Sequence, residues 1–284
     1  MVAFKKSKLV VLLAVALVMV ISAVGCGKSE EKASGASADS SNISGTVKVA
    51  GSTSVQPLAE ELADAFMDKN PDVNVSVQGG GSSAGIESAA KGTAQIGTSS
   101  RELQPEEKSG ITETIIANDG IAVIVSTDNQ ITGLTKDQIK KVFTGEVTDW
   151  SQVGGKKGPI TVVVREEGSG TRGAFEEMIL GKGTRFIANA VVQNSTGAVK
   201  TAVTKDSNAV GFISLGSVDD TVIAIKVDGT AVSEATVLDK SYKISRTFIF
   251  LTKGEADPAT KAFIDFVLSA DGQKIISEKY VKIK

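Results

Sequence analysis

Apolar and polar positions alternate along this chain in two registers. Val47 and Val49 stand two apart and predict a strand over 46–50. Leu58, Leu62 and Phe66 stand four apart and predict a helix ending at Asn70-Pro71, with Ser54 as its N-cap and Pro57 in its first turn. Val73, Val75 and Val77 alternate again as a strand, and Ile86 to Lys91 follows as a helix. A third strand begins at Ile96. Ile115 to Val125 reads as strand, turn at Asp119-Gly120, and strand. Thr135 caps a helix carrying Ile139, Val142 and Phe143. Val162 to Val164 is a strand, and Phe175, Met178 and Ile179 recur at helical spacing behind it. A short helix at Ala198 to Thr204 precedes strands at Ala209–Ile213, Thr221–Val227 and Ile244–Leu251. Ala256 to Ser269 closes the pattern as a helix, with a shorter one after Gln273. Strands alternating with helices define an α/β architecture.

Four strand ends carry turns of one composition: Gly51-Ser52-Thr53-Ser54, Gly79-Gly80-Gly81-Ser82-Ser83, Thr98-Ser99-Ser100-Arg101, and Arg165-Glu166-Glu167-Gly168-Ser169-Gly170-Thr171. Ligands of open α/β sheets sit at the carboxyl ends of the strands, so the four turns converge there. The fourth is the richest. Gly168 and Gly170 let the backbone bend and a ligand approach. Ser169 and Thr171 add hydroxyls, the following helix presents unpaired N–H groups, and Arg165 adds a planar cation. That combination suits a small tetrahedral anion.

The first 44 residues differ from the rest. Lys5, Lys6 and Lys8 precede an apolar run from Leu9 to Val24, shorter than the roughly 20 residues a spanning helix needs. The arrangement predicts a signal peptide over 1–25. Cys26, the sole cysteine of the chain, follows small residues as in a bacterial lipobox, with Ala23 where leucine is usual. Cleavage before Cys26 and lipidation of its sulfur are expected. Residues 27–44 carry almost nothing apolar and predict a flexible tether. The chain has net charge −2, and −5 once Lys5, Lys6 and Lys8 leave with the leader, which with few aromatics argues against nucleic acid. It has no histidine. Gly81-Ser82-Ser83-Ala84-Gly85 matches the Gly-x-Ser-x-Gly elbow of serine hydrolases, but no histidine exists to complete a triad. No acid cluster suggests a metal site, and no cofactor is implied. Binding is better supported than turnover.

The four turns stand in the order seen in phosphate-binding proteins of bacterial phosphate ABC transporters, the PstS-like family, and the chain resembles that family throughout 45–284. Asp119-Gly120-Ile121-Ala122-Val123 and Gly145-Glu146-Val147-Thr148-Asp149-Trp150 also resemble family segments. The resemblance implies the two-lobed periplasmic-binding-protein fold of type II, with a two-stranded hinge. Its lobes would be 45–122 with 247–284, and 123–246. It implies phosphate contacts at Thr53, Ser54, Ser82, Arg165, Ser169, Gly170 and Thr171. It also implies a monomer, tethered by lipidated Cys26 on the extracytoplasmic face of the cell membrane, that delivers phosphate to a membrane permease.

One departure bears on specificity. Some family members carry, in the third turn, an aspartate that accepts the proton of hydrogen phosphate and repels fully deprotonated sulfate. Ser100 stands there instead. Asp119 is the candidate replacement acceptor, Arg101 a candidate second cation, and Glu167 the expected partner of Arg165. A receptor for sulfate or molybdate and a surface phosphatase are the alternatives.

Overall fold

A computed structural model describes residues 43–181 and 183–283. The signal peptide, Cys26 and the tether therefore lie outside the described residues. In chain order the elements are β1 (Gly45–Gly51), α1 (Gln56–Lys69), β2 (Val73–Gly79), α2 (Ser82–Lys91), β3 (Ile96–Ser99) and β4 (Ile111–Ser126). They continue with β5 (Gly133–Leu134), α3 (Lys136–Thr144), β6 (Thr161–Arg165), α4 (Gly170–Phe175), β7 (Val191–Gln193), α5 (Thr196–Lys205) and β8 (Ala209–Ser214). Last come β9 (Val222–Ala224), β10 (Lys226–Val227), α6 (Glu234–Leu238), β11 (Ser245–Lys253), α7 (Pro258–Leu268) and α8 (Ala270–Ile276).

The strands run in the order β2-β1-β3-β11-β4-β8-β6-β7, with β9 also on β4. β1 is parallel to β2 and β3, and β6 is parallel to β7 and β8. β4 joins the two groups. Its residues 111–120 pair antiparallel with β11, and from Ile121 onward it pairs antiparallel with β8. The expected turn at Asp119-Gly120 does not form, and β4 runs straight through it. Asp119 is held within the ladder opposite Arg246, and a Cβ on Gly120 would stand 2.6 Å from Val232 Cγ2, so close packing explains the glycine.

Each group of strands is covered on both faces. On β11, Phe248 and Phe250 enter a core with Val47, Val49, Leu58, Leu62, Phe66 and Phe263, while Ile249 and Leu251 enter another with Ile86 and Ala89. That period of two separates the α1/α7 face from the α2 face. In the other half, Phe143, Phe175 and Phe212 pack with Trp150, and Val199 and Val203 of α5 cover the opposite face. The fold is the two-lobed α/β architecture expected of the sequence.

Helix starts follow capping chemistry. Thr135 caps α3 by accepting from Gln138 N–H, as its sequence predicts. Ser54 does not cap α1. The N-cap is Val55 with no side-chain bond, and Ser52 C=O receives the N–H groups of Val55 and Gln56. Ser54 is thereby free for the site. Behind α4 the predicted helix continues only as a single π turn, Glu176–Leu180.

Candidate functional site

The carboxyl ends of β1, β2 and β3 deliver three turns to one edge of the first half. Those of β6 and β7 deliver two more from the second half. Ser52, Ser54, Ser82, Ser100, Arg165, Ser169, Thr171 and Thr196 are all buried there. Buried hydroxyls require partners, and these find one another. Ser54 Oγ lies 2.8 Å from Thr171 Oγ1 and 2.8 Å from Thr196 Oγ1. Thr53 Oγ1 lies 3.3 Å from Thr196 Oγ1 and accepts from Thr196 N–H at 3.2 Å. Ser54 N–H donates to Ser52 Oγ, which donates to Ser100 Oγ at 2.9 Å. Ser82 Oγ accepts from Ser100 N–H at 3.0 Å. One continuous network therefore links both halves.

Gly170 closes it. A Cβ there would stand 2.2 Å from Ser82 Oγ and 2.7 Å from Ser100 Oγ, so α4 approaches the first half only because residue 170 has no side chain. Gly168, at φ 86°, makes the bend that lets this happen, and its carbonyl accepts from Ser83 N–H at 3.0 Å. Ser169 caps α4 by accepting from Arg172 N–H.

Arg165 is 2 % exposed. Its Nε and Nη2 each donate at 2.8 Å to the Glu166 carboxylate, and Nη1 donates to Thr196 Oγ1 at 3.3 Å. The orienting acid is Glu166, not the expected Glu167, which is exposed. Glu166 N–H bonds Gln193 C=O and extends the β6–β7 ladder, which fixes its side chain beside Arg165.

Thr196 belongs to this network although the sequence pattern does not single it out. Asn194-Ser195-Thr196-Gly197 is a fifth polar turn between strand and helix, but the apolar pattern started that helix only at Ala198.

Two expected residues stand outside the network. Arg101 gives Nη1 and Nη2 to Glu107 at 2.7 and 2.8 Å, and Nη2 touches Ser83 Oγ at 3.4 Å. Asp119 is fully buried on β4, with partners outside that network. Its Oδ1 accepts from Ser214 Oγ and Leu215 N–H, and its Oδ2 from Arg246 Nε and Nη2. Four donors fill the four lone-pair positions of a carboxylate. Burial pushes the Asp119 carboxyl up, against the pull of Arg246, Ser214 and Leu215. Among the described residues, no group of acids could hold a metal ion.

The arrangement collects hydroxyl and N–H donors, four helix N-termini and one oriented guanidinium around a point between two lobes. It defines a two-lobed receptor architecture for a small oxyanion. A PBP superfamily domain matches residues 36–271. The phosphate-binding protein PstS of Bacillus subtilis is 34% identical over 280 residues, covering 96% of this chain and 92% of that protein. The crystal structure of a putative phosphate ABC transporter substrate-binding protein with bound phosphate from Clostridium perfringens is 44% identical. It has a TM-score of 0.83 and covers 84% of this chain and 100% of that one. An ABC-type phosphate transport receptor from Vibrio cholerae is 38% identical, with a TM-score of 0.69, over 83% of this chain and 99% of that one. The chain belongs to the PstS family of phosphate-binding proteins, within the PBP superfamily.

Proposed function

We propose that this protein is a lipid-anchored extracytoplasmic receptor that binds inorganic phosphate between its lobes and delivers it to an ABC permease. It performs no covalent chemistry. The observation that carries this reading is the network joining Ser54, Thr171, Thr196 and Arg165 across the two halves. Phosphate would exchange the hydroxyl–hydroxyl bonds for charge-assisted ones to its own oxygens, which are about twice as strong. Arg165 supplies charge. Thr53, Ser54, Ser82, Ser100, Ser169, Gly170, Thr171 and Thr196 supply hydroxyl and backbone donors.

The lobes are 45–122 with 247–284, and 123–246. The change of partner along β4 from β11 to β8 at Gly120/Ile121 supports that division. Closure of one lobe on the other around the anion is what the permease reads. Cys26 carries the lipid, and the protein acts as a monomer on the cell membrane.

A second reading, a receptor for another tetrahedral oxyanion such as sulfate, draws on the acceptors in the network being hydroxyls, Ser100 among them. Calorimetric titration of the full chain in detergent, after unfolding and refolding to strip ligand, separates the two. Tight one-to-one binding of phosphate with no heat from sulfate supports the phosphate receptor. Equal binding of both anions supports the broader receptor, and no heat from either overturns both.

A further inference from the structure

Two buried arginines use their donors in the same way. Arg165 gives Nε and Nη2 to Glu166, and Arg246 gives Nε and Nη2 to Asp119 at 3.2 and 3.0 Å. In each, Nη1 is left over. Arg165 Nη1 donates into the hydroxyl network. Arg246 Nη1 is buried and finds no acceptor among the described residues. A buried donor on a charged group is expensive to leave unsatisfied.

Strand order says where Arg246 stands. β11 lies beside β3 and runs antiparallel to it, with Ile249 opposite Ser99. Arg246 lies three residues before Ile249, toward the end of β3 that Ser100 follows. Its guanidinium is bonded to Asp119 of β4 and lies 5.4 Å from the Phe248 ring, and the charges of Arg165 on β6 and of Tyr280 in the C-terminal segment act on it. Burial lowers the Arg246 pKa, Asp119 opposes that, and the like charge of Arg165 lowers it further. Two cations that repel in a buried site are relieved when an anion enters between them.

The geometry points to Arg246 as a second cationic group of the anion site, acting with Arg165 and held and part-neutralised by Asp119. This rests on the phosphate reading above. Asp119 is then neither a ligand nor a proton acceptor. It is a positioning residue that tempers the charge of Arg246, so removing its charge strengthens the pull on a dianion.

The test is calorimetric titration of the full chain, refolded free of ligand, with inorganic phosphate at low ionic strength, where charge effects are least screened. Wild type, Asp119→Asn and the double variant Asp119→Asn/Arg246→Gln are compared, each with its phosphate-free melting temperature. Asp119→Asn is expected to bind phosphate several-fold more tightly, although less stable. The double variant, neutral at both positions, is expected to bind about tenfold more weakly than wild type. A merely structural pair gives no tightening. Weaker or unchanged binding by Asp119→Asn overturns the inference, as does unchanged binding by a folded double variant. If the double variant does not fold, the sign of the Asp119→Asn effect decides alone. Absence of binding by wild type would instead overturn the phosphate reading, and this inference with it.

Discussion

The hydroxyls of Ser54 and Thr171 stand 2.8 Å apart, although 117 residues separate them in sequence. One belongs to the turn after β1 and the other to the first turn of α4. Thr196 bonds to the same Ser54 oxygen, so three elements meet on one atom. That meeting explains why hydroxyl residues are buried here in place of apolar ones. It also makes the contribution of each side chain measurable.

Thr171→Val and Thr196→Val keep side-chain shape and remove one donor each. A hydrogen bond to a charged group contributes about 1.5–3 kcal/mol, so each variant should bind phosphate roughly tenfold to a hundredfold more weakly. Calorimetric titration reads this directly; without ligand, Thr171→Val should melt close to wild type, whereas Thr196→Val leaves buried Arg165 Nη1 without its acceptor and should melt lower. Unaltered affinity in Thr196→Val would remove that residue from the site.

Gly170→Ala places a carbon 2.2 Å from Ser82 Oγ. The halves can then no longer meet at α4, while each half keeps its own core. The variant should fold but lose the rise in melting temperature that excess phosphate gives wild type. A rise of wild-type size would show that the close approach at Gly170 is not needed.

The second half depends on its aromatic cluster. Phe175 and Phe212 stack with ring centroids 4.1 Å apart, and Phe143 meets Phe175 edge-on at 4.8 Å. Phe212→Ala should destabilise the fold by about 3–5 kcal/mol, read from urea unfolding. A change below about 1 kcal/mol would mean that the cluster repacks around the loss.

Arg101 and Glu107 form an ion pair beside the site, and the guanidinium holds the Glu107 carboxyl below its ordinary range. A folded-state pKa below the unfolded one stabilises above the unfolded value, and that stability is lost as pH falls through the folded value. Glu107→Gln should therefore lower stability at neutral pH by about 1 kcal/mol or less and flatten the acid limb of the stability curve. Phosphate affinity should remain within about twofold, because neither side chain joins the hydroxyl network. A large loss of affinity would restore Arg101 to the site.

Much of this was legible in the sequence for local reasons. A strand ending in Gly, Ser and Thr before a helix is a short-range pattern, and the structure brings Thr53, Ser54, Ser82, Ser100, Arg165 and Thr171 of four such turns into one network. What was missed depends on partners far along the chain. Asp119-Gly120 has the composition of a turn, but Arg246, opposite it on β11, holds it in a strand. Thr196 lies in a turn whose helix carries no apolar residue until Ala198, so its start was read too late. Glu166 and Glu167 are alike in sequence, and only the β6–β7 ladder selects the first. Ser54 reads as a cap because serine favours that position, yet burial against Thr171 and Thr196 overrides the preference.

The most direct test of the central claim is a crystal structure of the protein grown with phosphate. The account predicts the anion between the lobes, accepting from the hydroxyls of Ser54, Thr171 and Thr196 and from Arg165 Nη1, with the Ser54–Thr171 bond exchanged for bonds to phosphate oxygens. Phosphate bound elsewhere, with the Ser54–Thr171–Thr196 network intact, would contradict it.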